Sequence, residues 1–135
     1  MKHFYLLVII SLFSYAAADK LIQNKRSVID REHHLEWQDN REAKEDIWKL
    51  SVGYCNQLKL NSYDNWRLPS KKELSQLFKS ESIKQKFIYL EDSIYWSKSL
   101  DSNDNFNAFT VYSGNGFQSL SDKCEKNAII CVRDY

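Results

Sequence analysis

Apolar and small residues recur at spacings of three and four between Ile47 and Leu58, and polar residues fill most of the positions between them. This period is typical of one face of an amphipathic helix. We predict a first helix that begins near Asn40 or Arg41 and ends at a polar turn over residues 61–65. Gly53 lies within it, at a cost of about 1 kcal/mol relative to Ala, but it leaves room for a close neighbour. The predicted buried face is Ile47, Leu50, Ser51, Tyr54, Cys55 and Leu58.

A second helix is predicted to begin after Ser70, because Glu73 follows it at the spacing of a capping box. In that pattern the serine and the glutamate each satisfy a backbone N–H that the first turn of the helix leaves free. Pro69 precedes the cap and restricts Leu68 to an extended conformation. The helix ends at residues 80–82, and its apolar stripe is Leu74, Leu77 and Phe78.

The pattern then changes to short segments rich in aromatic and β-branched residues, which are typical of strands. Residues 113–116 carry the strongest turn signal and predict a hairpin between strands 106–112 and 117–120. The continuous apolar run 128–132 predicts a central strand buried on both faces. Further strands are predicted at 95–100, 27–29 and 35–37. Two helices and an antiparallel sheet define the α+β class.

The N-terminal segment does not belong to this pattern. A short polar start is followed by an apolar run from Phe4 to Phe13 and by three alanines that end at Ala18. The run is too short to cross a membrane as a helix, and the pattern matches a secretory signal peptide. We predict that residues 1–18 are removed and that residues 19–135 form a single exported domain, with no membrane span; an uncleaved anchor is the alternative.

Composition excludes several classes of protein. The 135 residues include 19 Lys+Arg and 18 Asp+Glu, a balance that provides no basic excess for nucleic acid. Loss of Lys2 with the signal peptide makes the mature chain formally neutral. Cys55, Cys124 and Cys131 are an odd set, which permits at most one disulfide within the chain. Their spacing does not fit a structural zinc site.

Candidate chemistry is sparse. His33 and His34 lie in a predicted polar turn, which is more often solvated than catalytic. The loop that contains Asp101, Asn103, Asp104 and Asn105 resembles the start of a calcium loop, but an EF-hand would require Gly and Glu where Phe106 and Tyr112 stand. We therefore predict no bound metal, no cofactor and no catalytic residues. This loop is nevertheless the best candidate for contact with a ligand.

Several landmarks, in order along the chain, resemble the Lcl C-terminal domain family, the globular end of a bacterial collagen-like adhesin. The resemblance implies a C-type-lectin-like fold, with two helices on a twisted antiparallel sheet and adjacent N- and C-terminal strands. The chain lacks a collagen-like segment and the calcium and sugar motifs of animal C-type lectins. The landmarks are Leu35–Asp39, Gly53–Cys55, Asp64–Ser70 with Glu73 and Leu74, Tyr95–Ser97, and Cys131–Arg133.

The resemblance also implies how the cysteines pair. It pairs Cys55 with Cys131 and leaves Cys124 as a free thiol or as a link to another molecule. Arg67 is expected to bond carbonyl groups or a carboxylate at the entry to the second helix. The other landmark side chains are expected to be structural rather than catalytic: Trp66, Leu68, Pro69, Glu73 and Trp96.

The leading hypothesis for function is a non-enzymatic binding module, periplasmic or at the cell surface, that recognises a glycan or a protein through loops 100–106 and 121–126. The resemblance suggests sulfated polysaccharides, but the neutral chain offers only a small basic patch of Lys98, Lys123 and Lys126. The alternative is an accessory structural subunit of an envelope or surface complex. The oligomeric state is left open.

Overall fold

A computed structural model describes residues 27–41 and 44–135. The predicted signal peptide, residues 1–18, lies outside the described residues. In the described part of the chain, three strands are followed by three short helices and then by five strands. In order, the elements are β1 (Ser27–Asp30), β2 (Leu35–Gln38), β3 (Lys44–Asp46), α1 (Trp48–Gln57), α2 (Lys71–Lys79), α3 (Glu81–Lys84), β4 (Ile94–Leu100), β5 (Asn107–Tyr112), β6 (Gln118–Asp122), β7 (Asn127–Ile129) and β8 (Val132–Asp134).

The strands form two sheets, with the orders β1-β2-β8 and β3-β7-β4-β5-β6. The predicted α+β class is confirmed, and the C-terminal strand β8 does pair with the N-terminal hairpin, where Trp37 lies opposite Val132. The expectation of a single antiparallel sheet is wrong, because β4 and β7 are parallel neighbours at Tyr95 and Ala128. The chain reaches β7 by a crossover instead of a hairpin turn.

The first helix begins at Trp48, later than the sequence pattern predicts. Residues 44–46 form β3 instead, because their backbone pairs with β7, which lies far away in the sequence. Leu50, expected on the buried face, is 54% exposed. In the described part of the chain, no atom apart from the adjacent residues and the helix's own backbone lies within 4 Å of a Cβ built on Gly53, so no neighbour uses the room that this glycine leaves.

The predicted strand 128–132 is divided into β7 and β8. Every residue of this run is buried, as expected, but the chain leaves one sheet and enters the other at Ile130 and Cys131. Gln38 stabilises the crossing from the neighbouring β2. Its backbone N–H donates to the Cys131 carbonyl at 2.9 Å, and its side-chain Oε1 accepts from the Cys131 N–H at 3.0 Å.

Local sequence signals predicted α2 and the β5–β6 hairpin more accurately than they predicted α1 and the strand at 128–132. Ser70 and Glu73 form both bonds of the capping box, and the apolar stripe of α2 packs against Tyr95 and Val111 in one hydrophobic cluster. The β5–β6 hairpin closes where predicted, with a bond from the Tyr112 N–H to the Phe117 carbonyl at 3.0 Å. The extra turn α3, which begins directly after α2, was not predicted.

A second hydrophobic cluster surrounds the disulfide. The Cys55–Cys131 pairing is confirmed, with a Cα–Cα distance of 5.4 Å and a sequence separation of 76. Both cysteines are fully buried beside Trp66 and Trp96. The bond therefore ties α1 to the chain crossing between the two sheets.

Candidate functional site

The two loops proposed from the sequence lie side by side at one end of the five-stranded sheet. Asn107, the first residue of β5, pairs with Asp122, the last residue of β6. Directly beyond this pair, the Lys123 N–H donates to the Phe106 carbonyl at 2.8 Å. We call residues 101–106 and 123–126 together the loop face. The hairpin register brings these two segments together.

The carboxylates of the first loop bond to the loop itself. Asp101 Oδ1 accepts the Asn103 N–H at 3.0 Å, and Asp104 Oδ1 accepts the Phe106 N–H at 2.9 Å. These local bonds are Asx turns, which stabilise bends in the backbone. Within residues 27–41 and 44–135, no group of three or more His, Cys, Asp or Glu side chains is arranged to hold a metal ion. The loop thus has ordered backbone bends and exposed polar tips.

Lys123 connects the loop face to the start of α1. Its ammonium group lies 4.7 Å from the centre of the Trp48 ring, a cation–π contact. The Trp48 backbone N–H donates to the Lys123 carbonyl at 3.0 Å. The Trp48 indole N–H donates to the Ser97 carbonyl of β4 at 2.9 Å. The second loop is therefore fixed to both the helix and the sheet.

Phe106 is the most exposed large apolar side chain among the described residues, at 73%. The sequence placed it at the start of a strand and missed its exposure. Asn103, Asp104 and Asn105 precede it and are also exposed. The sequence did contain a signal for this exposure. Phe106 directly follows five polar residues and precedes the first paired residue of β5. The loop face therefore presents an aromatic ring beside amide and carboxylate groups.

The landmark side chains lie in the interior or at the bend before α2. Trp66 and Leu68 are each 2% exposed, and Pro69 is also buried. The Trp66 indole N–H donates to the Leu60 carbonyl at 3.2 Å, and the Trp96 indole N–H donates to the Asp46 carbonyl at 2.8 Å. These contacts fit a structural role.

Arg67 bonds two carboxylates at this bend. It contacts both oxygens of Glu73, at 2.8 and 2.9 Å, and it reaches Asp134 at 3.0 Å. Burial raises the pKa of Glu73, but the bonds from Arg67 and from the Ser70 N–H outweigh that effect and hold the pKa at about 2. Glu73 is therefore ionised near neutral pH, whereas a catalytic acid must carry a proton there in order to donate it.

A second ion pair, which the sequence did not reveal, lies within the three-stranded sheet and joins β2 to β8. Arg133 Nε donates to Glu36 Oε1 at 2.9 Å, and both side chains are less than a tenth exposed. The Arg133 guanidinium also stacks on the Tyr63 ring at 3.3 Å. The available signal was that Glu36 and Arg133 both fall within the quoted landmarks.

His33 and Lys98 line a surface cleft of about 420 Å³, together with Ser70 and Lys72. His33 Nδ1 bonds Asp30 Oδ2 at 2.7 Å. Lys98 lines this cleft, whereas Lys123 packs on Trp48, and the small basic patch of Lys98, Lys123 and Lys126 stays a prediction. Cys124 is a free, exposed thiol in the second loop.

Comparisons with known proteins agree with the fold and with the landmarks. The structure resembles botrocetin, a C-type-lectin-like protein, with a TM-score of 0.52 and 10% identity over 82% of this chain and 97% of that chain. Residues 26–133 match the Lcl C-terminal domain. The chain therefore belongs to that family, as its landmarks predicted.

A search of the curated proteins gives no match. In the described part of the chain, no helix has the length and apolar character needed to cross a membrane.

Proposed function

We propose that this protein is an exported, non-enzymatic binding module that recognises a glycan or a protein partner through the loop face. The observation that carries the proposal is the bond between Lys123 and Phe106, which joins the two loops beside the exposed Phe106 ring. Membership of the Lcl C-terminal domain family and the likeness to a C-type-lectin-like protein support a binding role.

The chemistry of the loop face suits a sugar ring or the rim of a protein. An aromatic ring offers apolar area to the C–H face of a sugar or to an apolar side chain. Asn103 and Asn105 provide amide donors and acceptors beside it. The Asx turns of Asp101 and Asp104 hold the loop in one shape, which lowers the entropy lost when a ligand binds.

Export is part of the same proposal. A disulfide persists in an oxidising compartment, such as the periplasm or the cell exterior, and Cys55 and Cys131 form one. The apolar N-terminal segment supplies the expected signal peptide. The electrostatics favour a neutral or weakly charged ligand over a polyanion, because the chain without residues 1–18 is formally neutral.

The test compares substitutions at exposed positions. Phe106→Ala and Asn105→Ala remove contacts on the loop face, and Ile88→Ala removes an apolar side chain of similar exposure, 59%, between α3 and β4. Binding is measured to an immobilised panel of neutral and sulfated polysaccharides and to surface proteins of the producing cell. Thermal melting is recorded on the same samples.

We expect the loop-face variants to lose binding at least tenfold while they melt near the parent temperature, and we expect Ile88→Ala to bind as the parent does. Retained binding in both loop-face variants would overturn the assignment of the site. Lys49→Glu reverses the charge of an exposed residue of α1, and loss of binding in this variant alone would place the partner on the helical side. Capture of an envelope protein by that side would favour the accessory-subunit alternative.

A further inference from the structure

Strand β6 forms an open edge of the five-stranded sheet. Within residues 27–41 and 44–135, β5 is its only partner strand, and the pairing runs without a bulge from Gln118 to Asp122. Leu120, at its centre, is 47% exposed. Proteins commonly protect such edges with charged side chains, Pro or a bulge, and β6 has only one such feature, Asp122 at its last position. The edge is therefore available for pairing with another strand.

The flanking bonds show which backbone groups point outward. Tyr112 donates to the Phe117 carbonyl, and Lys123 donates to the Phe106 carbonyl. Antiparallel pairing alternates, so that every second residue directs its N–H and C=O groups to the partner strand. The backbone groups of Ser119 and Ser121 therefore point towards β5, as those of Phe117 and Lys123 do. The backbone groups of Gln118, Leu120 and Asp122 point away from β5.

We propose that β6 pairs antiparallel with β6 of a second copy of this chain, around a two-fold axis at Leu120. This arrangement would join the two five-stranded sheets into one continuous sheet. It is an isologous contact, in which each copy offers the same surface. The proposal concerns the backbone edge of β6, which ends beside the loop face at Asp122, and it does not rest on the proposed function.

The register follows from hydrogen bonding and charge. In a register centred on Leu120, the two Leu120 residues face each other, and each Gln118 faces Asp122 of the second copy. The N–H and C=O groups that point away from β5 in one copy therefore meet the same kind of groups in the other. The Asp122 carbonyl already accepts the Glu125 N–H, and its second lone pair remains for Gln118. A register centred on Asp122 would place like charges opposite each other, which destabilises a sheet.

A second copy also suits the side chains beside the edge. Leu120 pairs with Phe109 within the hairpin, and the two-fold axis would bring two such apolar pairs together. Phe117, 68% exposed, would lie opposite Lys123 of the second copy. Two chains of formal charge +1 repel each other little. An edge of five residues buries a small area, so the expected dimer is weak and concentration-dependent.

The first test reverses a charge at one exposed position. Gln118→Glu would place a carboxylate opposite Asp122 of the second copy, whereas Gln118→Lys would place a cation there. Both are made with Cys124→Ser, and the dissociation constant is measured by sedimentation equilibrium. Each dimer contains this pair twice, and a cross-strand pair is worth about 0.2–1 kcal/mol. We expect Glu to weaken and Lys to strengthen the dimer, each by roughly 2- to 30-fold.

The second test traps the register. With Cys124→Ser, Leu120→Cys would form a disulfide across the axis, because opposite residues in a hydrogen-bonded pair lie about 5.5 Å apart. Ser119→Cys is the control, since the two introduced thiols would be diagonal to each other and too far apart to bond. In the parent, the two Cys124 residues would be separated by eight positions, roughly 27 Å, so that no bond forms between them.

Three outcomes would overturn the proposal. One is a monomer at every concentration up to about 1 mM. Another is a dimer on which the two Gln118 substitutions act alike or not at all, because the register would then be wrong. The third is a dimer that cross-links more readily through Ser119→Cys or through the native Cys124 than through Leu120→Cys, which would place a different surface at the axis.

Discussion

At the scale of single residues, the bend before α2 is held by one arginine that joins three parts of the chain. Arg67 lies at the bend, Glu73 lies in the first turn of α2, and Asp134 belongs to the last strand. Glu73 also accepts the Ser70 N–H at 2.7 Å. The same carboxylate thus caps a helix and anchors the arginine, so its charge should affect the stability of the whole domain.

Glu73→Gln should remove a contribution to stability that depends on pH. The folded pKa of Glu73, about 2, lies below the ordinary value of 4.5. Its stabilisation is therefore fully present above about pH 4.5 and is lost as the pH falls towards 2. We expect the variant to be about 1–2 kcal/mol less stable than the parent at pH 7, a value reduced by solvent screening, and close to the parent near pH 2. Urea unfolding at both pH values measures the difference.

Glu81→Gln is the control, since Glu81 is 76% exposed in its pair with Lys84 and should change stability little at either pH. An equal loss in Glu73→Gln at pH 7 and pH 2 would contradict the electrostatic account. The sequence predicted that Arg67 would bond carbonyl groups or a carboxylate at this bend, without naming Glu73 as that partner. It did not reveal Asp134, which only tertiary folding brings to the same place.

At the scale of elements, local signals decided which predictions were accurate. The start of α2 was predicted correctly because Ser70 and Glu73 specify it within a single turn. The start of α1 was wrong because backbone pairing with β7 holds residues 44–46 as a strand, and no local pattern reveals such a partner. The division of 128–132 has the same origin, since the crossing at Cys131 depends on Gln38 from another strand.

Two glycines allow the elements themselves to be tested. Gly53→Ala should stabilise the protein by about 1 kcal/mol, because the site lies within α1 and has open space around it. Gly116→Ala should destabilise by about 1–3 kcal/mol. Gly116 has a φ of +75°, and a Cβ there would approach the Ser75 carbonyl at 3.0 Å. Chemical denaturation of both variants would measure these opposite changes.

The comparison has an internal control, because the same substitution is made at both sites. Ser75 Oγ donates to the Gly116 carbonyl at 2.7 Å, so the turn is docked on α2 and has little freedom to move. If Gly116→Ala left stability unchanged, the turn would have to adopt another conformation. If Gly53→Ala destabilised, α1 would have a neighbour at that position.

At the scale of the whole molecule, two hydrophobic clusters share the buried run 128–132. Ala128, Ile130 and Val132 contribute to one cluster, and Ile129 and Cys131 contribute to the other. Alternation along an extended chain produces this division. The sequence predicted burial on both faces, but the two sheets that meet there could not be deduced from an apolar run alone.

The arrangement of the loop face could likewise be predicted only in part from the sequence. The turn at 113–116 fixes the hairpin register, so the sequence could indicate that residues near 106 and 122 lie together. It could not indicate that Lys123 would pack on Trp48, since that contact depends on where α1 begins.

The disulfide should contribute more to stability than any single contact described above, because it joins positions 76 residues apart. Closure of a loop of that length lowers the entropy of the unfolded chain and stabilises by about 4–5 kcal/mol. The double variant Cys55→Ala and Cys131→Ala also leaves two small voids in the second cluster. Domains of this size are stable by only about 5–15 kcal/mol. We expect a large fall in the urea midpoint, and Cys124→Ala, at an exposed thiol, should match the parent. A double variant as stable as the parent would mean that the second cluster, which includes Trp66 and Trp96, holds α1 against the last strands without the covalent bond.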